Sequence, residues 1–218
     1  MNTQQFATPK HASPVVQTLA TLVAVVAMLA LGAKPATAAA QAQVQGQPDT
    51  TFGGGTLEVG KDVAPGTYQT QVPANSFGCY WARLSDLSGD FDAILANANL
   101  ESGDMATVTI NAGDVGFESS RCGTWKPSGQ VGPANPAATM GGGTWIVSED
   151  IKPGSYRTTV PSDSTGCYWA RLSDLSGGLN SILANDNIEP GDRVTVTVGS
   201  GDKGFTSNRC GTWEMAGQ

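Results

Sequence analysis

The chain has 218 residues, with 12 Lys and Arg against 19 Asp and Glu and a single histidine, His11. A net charge of −7 without a basic cluster excludes nucleic acid and anionic membrane surfaces as natural partners. With its one histidine near the start, the rest of the chain lacks the commonest general base and metal ligand, which removes Ser-His-Asp and Cys-His chemistry.

Residues 1–40 read as a secretory signal peptide. Lys10 and His11 precede an apolar run from Val15 to Leu31, and a small-residue stretch, Ala36 to Ala40, follows. Cleavage after Ala38 or Ala40 fits this pattern. The alternative is that the segment is kept as an anchor, the one case in which a membrane is a partner. No cysteine follows the apolar run, so no lipid attachment is expected there. Removal of residues 1–40 takes away Lys10 and Lys34 and leaves 10 − 19 = −9.

The remainder says one thing twice. Residues 55–126 and 143–214 align without a gap at a constant offset of 88, with about 60% of positions identical. Gly78 to Gly89 equals Gly166 to Gly177, and Arg121 to Trp125 equals Arg209 to Trp213. Two copies at so long a period indicate tandem globular domains rather than a solenoid. Around them the composition predicts a mobile leader at 41–54, a Pro- and Gly-rich linker at 127–142 and a tail at 215–218.

Within each unit the pattern is β. Thr56–Val59 leads through Pro65-Gly66, a pair suited to the centre of a type II turn, into the strand Thr67–Val72. Cys79–Leu84 is the next strand. Phe91–Asn97 is the one stretch with helical potential. Met105–Ile110 and Arg193–Val198 alternate sharply, threonines outward and aliphatics inward, and Gly116–Ser119 opens a further strand. Six or seven short strands with Gly-rich turns predict an all-β fold: two tandem compact β-sandwich or barrel domains. Four cysteines allow three pairings, and duplication favours Cys79–Cys122 with Cys167–Cys210, one internal disulfide in each unit. Units this small are marginal without such a staple.

Carboxylates are the only enzymatic route left. The acids present in both copies are Asp62/Asp150, Asp86/Asp174, Glu101/Glu189, Asp104/Asp192 and Asp114/Asp202, most beside Gly, Ser or Asn, where Asp serves turn geometry. Asp86, Asp90 and Asp92 resemble a loop of oxygen ligands for calcium. The second copy, however, keeps only Asp174, with Gly178 and Asn180 at the other two places, and no EF-hand spacing is present. No enzyme activity, metal or cofactor is expected. The aromatic and arginine residues are the candidate ligand site. Strand alternation puts Cys79, Trp81 and Arg83 on one face, and the disulfide brings Arg121 and Trp125 near them. Trp169, Arg171, Arg209 and Trp213 repeat the set. Aromatic faces stacking on sugar rings, with arginine forks on hydroxyls or carboxylates, would make a shallow platform. Core anchoring of Trp81 and Trp169 on the disulfide is the competing expectation.

The blocks Gly-Cys-Tyr-Trp-Ala-Arg-Leu-Ser and Arg-Cys-Gly-Thr-Trp resemble a small repeat domain of exported actinobacterial proteins. The resemblance implies an envelope or extracellular setting and carries over no catalytic residues. The chain departs from lipid-anchored members in lacking a lipid-attachment cysteine. The expected function is a secreted, non-enzymatic tandem binding module acting on glycan or cell-wall material. The alternative is a secreted protein-binding protein, such as a protease inhibitor, adhesin or surface spacer. A carboxylate hydrolase using Asp86 and Asp174 ranks third.

Overall fold

The computed structural model describes residues 49–217; the expected signal peptide (1–40) and leader residues 41–48 lie outside them. The first repeat contributes β1 (Gly55–Glu58), β2 (Gly66–Gln71), β3 (Cys79–Leu84), β4 (Ile94–Leu100), β5 (Met105–Ile110), β6 (Gly116–Ser120) and β7 (Lys126–Pro127). The connecting segment contributes β8 (Thr139–Met140). The second repeat contributes β9 (Gly143–Ile146), β10 (Gly154–Thr159), β11 (Cys167–Leu172), β12 (Ile182–Ile188), β13 (Arg193–Val198), β14 (Gly204–Asn208) and β15 (Trp213–Met215).

Each repeat is a two-sheet sandwich. In the first, sheet β1-β6-β3-β4 faces strands β5, β2 and β7; in the second, β9-β14-β11-β12 faces β13-β10-β15-β8. The alternation read from the sequence explains the cores. Tyr68, Ala106, Val108 and Ile110 on one sheet meet Trp81, Leu100 and Phe117 on the other. Tyr156, Val196 and Val198 meet Phe205 in the second copy. Cys79–Cys122 and Cys167–Cys210 are bonded, each closing a sequence separation of 43 residues. Each loop closure contributes about 4 kcal/mol in the chain-entropy picture.

Three expectations are corrected. Phe91–Asn97 is not helical: a single 3-10 turn, Phe91–Ala93, runs into β4, because Ile94 to Leu100 pairs along β3. The end of the expected leader is ordered. Asp49 bridges Val63, and Phe52 exchanges backbone bonds with Trp125 and is buried in the first core. Ala137 and Met140 hold the equivalent places in the second repeat, on Ile151 and Trp213. The linker is not loose either. Pro127 pairs with Tyr68, Ser128 N–H donates to the Thr67 carbonyl, Ala137 N–H donates to the Asp150 carbonyl, and Lys152 N–H donates to the Ala137 carbonyl.

The two repeats share one sheet. β9 runs parallel to β5, giving the order β12-β11-β14-β9-β5-β2-β7 across both copies. The described residues, 49–217, accordingly lie in a single compact unit.

Candidate functional site

The expected platform does not assemble. Trp125 and Trp213 are both fully buried (0% exposed), a correction to their assignment as ligand-stacking faces. Each indole N–H donates to a serine hydroxyl, Ser119 or Ser207, at 2.8 Å. Each ring also meets a phenylalanine edge to face, with centroids 5.5 Å (Phe117) and 5.3 Å (Phe205) apart. An indole inside a small core needs its one donor satisfied, and the serine two strand residues from that phenylalanine does this. Trp81 and Trp169 stack face to face with the same phenylalanines, with centroids 6.3 Å apart. Trp169 is only half-buried, and its indole N–H is inaccessible to solvent yet has no hydrogen-bond partner.

The arginines separate into two kinds. Arg83 forks onto Asp114 at 2.7 and 2.6 Å, and its third nitrogen donates to the Ser176 carbonyl of the other repeat at 2.8 Å. Arg171 forks onto Asp202 at 2.7 and 2.9 Å with no such third bond. The Arg171 guanidinium holds the Asp202 carboxyl below the usual range. These bidentate pairs are structural clamps. Arg121 and Arg209 are exposed in left-handed backbone, at φ 60° and 57°. Arg209 lies 3.6 Å from Glu101 across the repeats. Asp86 and Asp174 each accept the N–H two residues on, at 2.8 Å, as turn-forming acids. Among the described residues no group of three His, Cys, Asp or Glu side chains is placed to hold a metal ion.

What the structure does build is a cleft of about 360 Å³ between the repeats. Its floor is the outer face of the second repeat's sheet, with Tyr168, Leu172 and Asn208. Its wall is the end of the first repeat, with Trp81, Asn97 and Asp104. Sequence reasoning missed this site because neither half is complete in one copy. Desolvation beside the Gly142 backbone raises the Asp104 carboxyl above its ordinary range. The seam that closes the cleft is polar and specific. Thr109 N–H donates to the Leu175 carbonyl at 2.8 Å, and the Thr107 hydroxyl to the Thr144 carbonyl at 2.6 Å. Gln69 donates to Asp150 at 2.6 Å and receives the Gly129 N–H, so it ties the connecting segment to both repeats. Gly143, at φ 101°, lies so close to β5 that a Cβ would stand 2.1 Å from the Met105 carbonyl oxygen.

A two-sheet, disulfide-stapled unit repeated in tandem defines an extracellular β-domain protein. Residues 49–126 and 137–214 each match the sequence model of the Rv1352-like extracellular domain, and the chain belongs to that family. The matched boundaries include Asp49–Phe52 and Ala137–Met140, the segments by which each sandwich exceeds its block of identity. No curated protein and no solved structure matches the chain.

Proposed function

We propose that the chain is a non-enzymatic extracellular binding module that holds a hydroxyl-rich ligand, a segment of cell-wall or envelope glycan, in the cleft between its repeats. The cleft itself carries this reading: amides, a carboxylate and a tyrosine hydroxyl line the same opening as an indole and leucines. That mixture suits a sugar ring, which offers hydroxyls at its rim and an apolar face. The histidine-free composition beyond His11 and the engagement of all four cysteines in disulfides favour binding over catalysis.

The test is co-sedimentation of the chain begun at Val44 with insoluble peptidoglycan, chitin and cellulose. One of these should deplete the protein from solution, and Tyr168→Ala with Asn208→Ala should weaken that depletion at least tenfold. Full binding by the double variant would remove the cleft as the site.

A second reading, recognition of another protein, draws on exposed apolar side chains. Phe77, Phe91 and Leu179 are 95%, 90% and 85% exposed. Inhibition of a secreted protease, lost in Phe91→Ser with Leu179→Ser, would favour that reading.

A further inference from the structure

We propose that the β13 edge of one chain docks the first repeat of a second copy, head to tail, and so repeats between molecules the seam that joins the repeats within one.

The seam has two halves, and among the described residues each repeat presents one of them unfilled on its far side. The half supplied by the second repeat is Gly142, Thr144, Asp150, Leu175, Ser176 and Gly177. Its counterparts in the first repeat, at the offset of 88, are Gly54, Thr56, Asp62, Leu87, Ser88 and Gly89, identical at all six positions. Asp150 is buried and Leu175 and Ser176 are half-buried, whereas Asp62, Leu87 and Ser88 are exposed. Gly55 keeps a positive φ of 131° although nothing lies within 4 Å of where its Cβ would be. Its counterpart Gly143 is the residue that must approach β5 bare.

The other half is supplied in the seam by Trp81, Arg83, Thr107 and Thr109. The second repeat retains Trp169, Arg171, Thr195 and Thr197. There β13 is a sheet edge, Thr195 and Thr197 are exposed, and Arg171 lacks the third bond that Arg83 makes. The orphaned Trp169 indole N–H lies in this half. An open ladder edge of this kind is a template for pairing.

One difference between the halves is electrostatically complementary. Gln69 is replaced by Arg157, which would meet Asp62 of the second copy where Gln69 meets Asp150. The Glu101–Arg209 pair of the seam has exposed counterparts at the two ends, Glu189 on one and Arg121 on the other. Two opposite pairs at the rim would fix the register of such a contact. The contact is heterologous and does not close on itself by two-fold symmetry, so it propagates. Each junction would also set the open face lined by Tyr80, Leu84 and Thr56 against Trp169, forming a second cleft. The inference stands whether or not the first cleft binds a glycan.

Sedimentation of the chain begun at Val44, from micromolar to millimolar concentration, tests it. The mass should climb with concentration past two copies. Arg157→Glu with Arg193→Glu blocks one end, and Leu87→Lys blocks the other; each of these chains alone should stay a single copy. An equimolar mixture of the two should form a species of two copies and stop there, which also shows that both variants are folded. A wild-type chain that stays single throughout would overturn the proposal and leave the arginine edge as a guard against strand pairing. A two-copy species that neither block disturbs would overturn it too, by revealing a symmetric contact elsewhere.

Discussion

Strands β5 and β13 have nearly the same sequence and opposite surroundings. Both read Thr-Val-Thr at their centre, and both turn their aliphatic residues into a core. In β5 the outward face is covered as well: Thr107 is buried and bonds to the Thr144 carbonyl. In β13 the equivalent Thr195 is exposed at a free edge. An alternating strand therefore specifies only its inner face. What its outer face does depends on what packs against it: the second repeat covers that of β5, whereas among the described residues that of β13 stays exposed.

The comparison can be broken most forcefully at the glycines. Gly143→Ala drives a Cβ into the β5 backbone and should cost several kcal/mol, about 3 or more. The single melting transition should then split in two as the repeats uncouple. Gly55→Ala meets no atom and should cost only the strain of its positive φ, about 1–2 kcal/mol, with one transition kept. Equal losses in calorimetry would show that Gly143 serves its own turn rather than the seam.

The arginine clamps should differ next. Arg83→Ala strands the buried Asp114 and frees the Ser176 carbonyl, so a loss of about 3 kcal/mol is expected in denaturant titrations. Arg171 is more exposed, and its loss should cost about 1 kcal/mol. A reversed order would mean that the seam contributes little to the stability of the first repeat.

The smallest effect is a pH trend. Burial raises the Asp150 carboxyl above its ordinary range, partly offset by the N–H of Ile146 and the amide of Gln69. A carboxyl with a raised folded pKa favours the folded state most below its unfolded value, near 4. That contribution falls away as pH rises through the folded value. Asp150→Asn keeps an acceptor for both donors and removes the decline, so its Tm should gain on the wild type from pH 4 upward. Parallel curves for Asp150→Asn and the wild type would count against desolvation at the seam.

Much of the fold was legible because it follows from local chemistry. Alternation located β2, β3, β5 and β6, and duplication paired the cysteines. Three features depended on partners distant in the chain. Phe52 and Met140 hold one position but share no identity, so the first strand segment of each unit escaped a comparison based on repetition. Trp125 and Trp213 sit beside Gly-Thr near the unit ends, and nothing local says that Ser119 and Ser207 wait inside for their indole N–H groups. Pro and Gly in 127–142 look like slack, yet Gly129 donates to Gln69 and Gly132 lies against Asp150. The cleft did leave one trace. Among the positions where the copies differ in charge, Gln69 against Arg157 and Met105 against Arg193 are covered in the first repeat and bare in the second.

The disulfides have a mechanical consequence. If the chain is pulled from its two ends, unfolding a repeat releases only the residues outside its cystine loop, because force passes through the sulfurs. Reduction would return 43 residues per repeat to the load path, about 150 Å of added length each at 3.5 Å per residue. An oxidised chain is thus a short tether with limited give, and its reach outside the cell is set by redox state as well as by fold.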